Sequence, residues 1–229
     1  MQKAKLMILG ALLLGTGLVV AGCGTQTNNM PQTNTPAPAN QDQAAVEGVK
    51  VTALTDGAYK IDATASRLGW HSKKMLVTDD RTGTVAIKDG SLEIKDGKLA
   101  GGAFTIDMST IHDNATNQSE AMVEKHLKSP DFFDAAKYPT AALKITSVVP
   151  GANNDYQVTG DLTIKATTKP VTFTATVTGT ETGLTAAAKF TIDRSQWDVR
   201  YGSGTFFQNL GDKIITNDID YDVALVATK

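Results

Sequence analysis

Few side chains in this sequence can do chemistry, and those few are spaced far apart. Cys23 is the only cysteine, so an intrachain disulfide and a cysteine-based zinc cluster are both excluded. His71, His112 and His126 are scattered without a His-x₃-His spacing, and no zinc centre is expected from them. Neither a Gly-x-Ser-x-Gly elbow nor a His-Glu-x-x-His pair occurs. The glycine-rich stretch Tyr201-Gly202-Ser203-Gly204-Thr205 opens no helical pattern and so does not read as a phosphate cradle. Arg194, directly after Asp193 at the end of an alternating apolar run, has two readings. Its guanidinium fork suits phosphate oxygens, and it suits equally a structural ion pair at a rim. No catalytic residue, metal or cofactor is expected, and the chain does not read as an enzyme. What remains is binding chemistry.

The flanks of Cys23 say what that thiol is for. Lys3 and Lys5 open the chain, and an apolar run ends in Leu18-Val19-Val20-Ala21-Gly22 just before the cysteine. This is a secretory leader, too short and wrongly flanked for an ordinary transmembrane helix. Ala21-Gly22-Cys23 resembles the lipobox of bacterial lipoproteins. The resemblance implies a signal peptide over residues 1–22, lipidation at Cys23 through a thioether, and a protein held outside the cytoplasm by acyl chains. Gly24, rather than an aspartate, resembles lipoproteins sorted to an outer membrane; in a host that has one, the expected location is its periplasmic side.

Residues 23–50 read as a lipid-anchored flexible linker. Pro31, Pro36 and Pro38 stand among amides and hydroxyls with almost nothing to bury. Such a segment does not offset its own ordering entropy. Residues 51–229 are then of ordinary size for one domain. The formal charge of −2 becomes −4 once the two leader lysines are removed, and no basic stripe appears, which argues against nucleic acid.

From Tyr59 onward the dominant pattern is alternation with period two. Tyr156, Val158, Gly160, Leu162 and Ile164 alternate with polar residues, as do Val171, Phe173, Ala175 and Val177, then Leu184, Ala186, Ala188, Phe190 and Ile192, then Tyr221, Val223, Leu225 and Ala227. Each reads as a strand with one dry and one wet face. Asp89-Gly90 and Asp96-Gly97 separate runs at Val85–Ile87, Leu92–Ile94 and Leu99–Met108 and read as hairpin turns. Pro150-Gly151 and Thr182-Gly183 mark two more, and Pro170 reads as the opening of a strand. About eight strands at short spacing predict an antiparallel sandwich or barrel.

Residues 114–138 break the alternation. Ala115, Gln118, Met122, Val123 and Leu127 fall at helical offsets, and Ser129-Pro130 opens a short turn carrying Phe132 and Phe133. A β-domain with one helical excursion often uses it to cap an open end.

Several stretches resemble, in order, the YceI-like family of polyisoprenoid- or lipid-binding domains. They are Tyr59-Lys60-Ile61-Asp62 with Leu68-Gly69-Trp70; Ile106-Asp107-Met108-Ser109-Thr110-Ile111; His126-Leu127-Lys128-Ser129-Pro130-Asp131-Phe132-Phe133-Asp134 with Lys137-Tyr138-Pro139-Thr140; Gly160-Asp161-Leu162-Thr163-Ile164 with Thr168-Lys169-Pro170-Val171; and Phe190-Thr191-Ile192-Asp193-Arg194 with Tyr201-Gly202-Ser203-Gly204. The family's His-Gly after Thr-Ile is here Lys165-Ala166.

The resemblance implies an all-β fold: an eight-stranded antiparallel lipocalin-like β-barrel with a short helical cap. It further implies an elongated apolar cavity for a long isoprenoid or fatty chain, and a homodimer in some relatives. The residues expected to line the ligand site are Trp70, Phe104, Met108, Met122, Leu127, Phe132, Phe133, Phe173, Phe190, Arg194 and Phe206. Alternation alone leaves two outcomes open, since the same inward side chains line a cavity or fill a solid core. The expected function is a membrane-tethered lipid-binding protein. The alternatives are a ligand-free interaction barrel and a lipid-modifying enzyme.

Overall fold

The computed structural model describes residues 51–73, 80–115 and 120–229. The expected signal peptide, Cys23 and the expected linker lie outside them, as does Gln118.

The alternating segments form strands joined in one antiparallel meander. They are β1 (Gly57–Ile61), β2 (Arg67–Lys73), β3 (Asp80–Lys95), β4 (Lys98–Asp113), β5 (Thr140–Pro150), β6 (Asp155–Ile164), β7 (Thr167–Gly179), β8 (Gly183–Asp193) and β9 (Asp218–Thr228). β1 and β2 both pair with β3 on one side and β9 on the other, so together they make one interrupted stave. Pairing of β3 with β4 at one side and of β2 with β9 at the other closes the sheet into an eight-stranded barrel. The burial of β6 alternates along its length, with Tyr156, Val158, Gly160, Leu162 and Ile164 facing inward.

The meander puts the β3–β4, β5–β6 and β7–β8 hairpins at one end of the barrel and the long excursions, with the two-residue β6–β7 hairpin, at the other. Asp96 and Gly97 (φ 53° and 69°) make the β3–β4 hairpin with positive φ at both central positions. Asp89-Gly90, expected as a turn, instead lies inside continuous β3 beside a register shift between Ile87 and Asp89. A Cβ at Gly90 would meet Phe104 Cδ1 at 2.8 Å and the Ala103 carbonyl at 2.9 Å, so this glycine serves close packing at a bulge. Pro170 is likewise inside its strand rather than at its start. It pairs with Asp161 of β6, while the β7–β8 ladder runs only from Ala175 to Gly179. The missing N–H therefore falls on an unpaired edge, where proline is tolerated.

At the hairpin end Thr52 bridges to Gly179 and Leu54 packs against the core, stoppering the barrel. The opposite end carries α1 (Glu120–Lys128), the turns from Ser129 to Tyr138, and the segment 194–217. Ala115 precedes the helix, because Asp113 Oδ1 accepts its N–H in a local turn. α1 is pinned to β4: His112 Nδ1 donates to Glu124 Oε1 at 2.5 Å, and the Asp113 N–H donates to the same oxygen. The fully buried Asp113 carboxylate pairs with Arg81 at 3.1 Å.

Candidate functional site

The barrel interior is not filled throughout. A cavity of about 170 Å³ runs between the packed hairpin end and the capped end. Its position follows from side-chain size. Inward positions on β7 and β8 are occupied by Ala175, Ala186 and Ala188, where leucine- or phenylalanine-sized residues would meet across the axis. The wall is almost wholly hydrocarbon and, among the described residues, contains no carboxylate.

Nine of the residues singled out from the sequence come together on this wall: Trp70, Phe104, Met108, Leu127, Phe132, Phe133, Phe173, Phe190 and Arg194. Phe173 and Phe190 stack at 4.6 Å across the unpaired stretch of β7 and β8, and Phe190 meets Tyr221 at 5.3 Å. Trp70 lies opposite both Tyr221 and Gly83 in register. Its indole uses the room that Gly83 leaves, since a Cβ there would lie 2.3 Å from Trp70 Cζ2.

Met122 and Phe206 do not reach the cavity. Met122 is 69% exposed, on a face of α1 one turn before His126, which packs edge-on to Tyr201 rather than into the barrel. Phe206 is 38% exposed because the turn anchored on the buried Ser203 sends it outward, over Arg200. Periodicity and aromatic character could not separate these two from their inward neighbours. Conversely, Tyr221, Ser72 and the three alanines line the wall and were not singled out, although the alternation of β2, β7, β8 and β9 marks their side.

Among the described residues Arg194 forms no rim ion pair. Asp193 Oδ1 is taken up by the Ser195 N–H and hydroxyl, capping the 3₁₀ turn Arg194–Trp197. The guanidinium, 2% exposed, donates instead to three backbone carbonyls: Nε to Thr216 at 3.1 Å, Nη1 to Val199 at 2.8 Å and Nη2 to Ile215 at 3.3 Å. Burial lowers its pKa to about 10, against a smaller opposing effect of Asp193, so it stays charged at neutral pH. Burial pushes the Tyr221 phenol well above its ordinary value, and it remains a protonated donor. The Trp70 Nε1–H is buried with no hydrogen-bond partner among the described residues. Chemically, then, the site is a hydrocarbon-walled chamber whose few polar side chains among the described residues can all donate, the Ser72 and Tyr221 hydroxyls also being able to accept.

A YceI-like domain model matches residues 59–227, spanning every strand but the outer ends of β1 and β9. Among sequence relatives, a UPF0312 protein of Shewanella denitrificans is 36% identical over 91 residues, which is 40% of this chain and 46% of that protein. A UPF0312 protein of Vibrio cholerae is 34% identical over 91 residues, 40% and 47% of the two chains. The chain thus spans about half the length of these curated relatives. Among solved structures, BcnA of Burkholderia cenocepacia superposes with a TM-score of 0.59 at 28% identity, covering 73% of this chain and 99% of that one. A polyisoprenoid binding domain from Saccharophagus degradans shares the fold, with a TM-score of 0.54 at 17% identity over 74% and 97% of the chains. With the family model covering most of the sequence and the closed barrel matching, the chain belongs to the YceI-like family.

Proposed function

We propose that this protein binds the apolar chain of a long amphiphile, a polyisoprenoid or a fatty chain, inside the barrel, and that it does so outside the cytoplasm, tethered to a membrane through lipidated Cys23. The observation that carries the binding reading is the hydrocarbon wall of the 170 Å³ cavity. Each methylene moved from water into it gains about 0.8 kcal/mol, so affinity needs few polar contacts. At roughly 30 Å³ per methylene-sized group, the cavity takes five or six such groups as it stands. Longer chains are admitted as Met108 and the ring stack of Phe173 and Phe190 give way. The Saccharophagus domain, described as polyisoprenoid binding, supports the ligand class through the shared fold. The tether rests on the lipobox-like run before Cys23. The role is sequestration or transfer rather than catalysis.

Native mass spectrometry of detergent-free protein, with identification of what is extracted from it, tests the proposal. A stoichiometric long-chain molecule is expected. A clean apo mass that takes up neither isoprenoid nor fatty chain overturns it and favours a ligand-free interaction barrel. Labelled-palmitate incorporation that survives a Cys23→Ser change would overturn the tether.

A further inference from the structure

The polar atoms of the cavity wall are not spread along its length. Working along the inward positions of β2, β8 and β9, Phe190 lies beside Tyr221 and Tyr221 beside Trp70. The next layer toward the cap pairs Ile192 with Ile219 and holds Ser72, and Arg194 follows. The hairpin half of the wall offers only hydrocarbon, including Leu92, Leu99, Val177 and Leu225. Among the described wall residues every polar side chain at the capped half can donate, Ser72 and Tyr221 through hydroxyls that also accept, and one is a cation.

A guanidinium has five N–H groups. Three are committed to the Thr216, Val199 and Ile215 carbonyls, which leaves one hydrogen on each Nη without a partner among the described residues. The carbonyls therefore fix the fork in place while leaving part of it free. Among the described residues no carboxylate lies within ion-pair distance of Arg194, and the buried Trp70 N–H is also unpartnered. A charge buried without a counter-ion is costly, and so is an unmade indole hydrogen bond. A ligand that brings an anion to Arg194 relieves the first cost.

Resting on the chain-binding reading above, we propose that the capped end of the barrel is a head-group site for a carboxylate. The ligand is thus a fatty-acid-like amphiphile, its head at Arg194 and its tail directed to the stoppered hairpin end. A carboxylate fits better than a phosphate because one guanidinium is the only cation on the wall among the described residues. A doubly charged phosphate would keep an uncompensated buried charge.

The test compares palmitic acid, its methyl ester and hexadecyl phosphate for binding to the purified protein by calorimetry. A charged hydrogen bond predicts that the acid binds roughly 10- to 100-fold more tightly than the ester. Arg194→Gln, where it folds, brings acid and ester together. Equal binding of acid and ester by the unaltered protein overturns the head-group site while the chain-binding reading stands. Tighter binding of the alkyl phosphate overturns the carboxylate assignment. Binding of none of the three overturns the chain-binding reading itself.

Discussion

Filling the cavity from its own wall separates a ligand chamber from an incompletely packed core. Ala186 and Ala188 of β8 both face the cavity, and Ala186 is 9% exposed. Changing both to leucine adds six carbon atoms, roughly 180 Å³ at about 30 Å³ each, which matches the 170 Å³ available. At about 24 cal/mol per Å³, closing a cavity of 170 Å³ recovers about 4 kcal/mol. Imperfect rotamers take back about 1–3 kcal/mol. The double variant should therefore be more stable than the parent by about 1–3 kcal/mol, read as a higher urea midpoint with unchanged slope. It should also lose long-chain binding measured by calorimetry or by displacement of a fluorescent fatty probe. A variant destabilised by more than about 2 kcal/mol would show that the leucines do not fit the space described. Retained binding in a well-folded variant would show that the ligand sits elsewhere. Either result refutes the reasoning from alanine placement to chamber.

Three further outcomes follow from the packing. Gly83→Ala places a Cβ 1.9 Å from the His112 carbonyl and 2.3 Å from Trp70, so it should cost about 3 kcal/mol or more; Gly204→Ala, with nothing within 4 Å, should leave the thermal midpoint nearly unchanged. Arg81→Met strands the buried Asp113 carboxylate and should destabilise by about 3 kcal/mol, and adding Asp113→Leu should recover part of that loss in a double-mutant cycle. For Glu124, burial pushes the pKa up, but the hydrogen bonds from His112 and the Asp113 N–H, with Lys128 nearby, hold it below 4.5 on balance. The Asp107 carboxyl is also held below 3.8, chiefly by the Ser109 hydroxyl. A depressed carboxylate contributes stability that is full above its unfolded value and lost as pH falls through its folded one. Stability should therefore decline below about pH 4.5, and amide exchange should report loosening of α1 in the same window; a flat profile from pH 6 to 3 would contradict this.

Much of the fold was legible because a barrel strand carries its instructions locally. The alternation of Tyr156 to Ile164, or of Leu184 to Ile192, fixes which side is dry whatever the partner strand is. Asp96-Gly97 was readable as a turn for the same local reason, and the helical offsets ending at Leu127 marked the capping excursion. Asp89-Gly90 carries the same two residue types and is not a turn. What holds that stretch extended is a neighbour, the Phe104 ring against Gly90, and a neighbour on another strand has no local signature.

The candidate site divides along the same line. Residue type and period identified the apolar set that reaches the cavity, but Met122 and Phe206 carry equally apolar side chains and face outward. The sequence by itself determined a leader-like run before Cys23, a β-rich domain with one helical excursion, the family, and the inward face of each strand. Only the tertiary structure decided between solid core and cavity, because that depends on whether small residues from different strands coincide. Ala175 sits opposite Ala188, with Ala186 two positions along, and the space they leave is additive. It also decided the state of Arg194. The three carbonyls that hold it come from a segment that folds back over the barrel's end, and no spacing in the sequence announces their convergence.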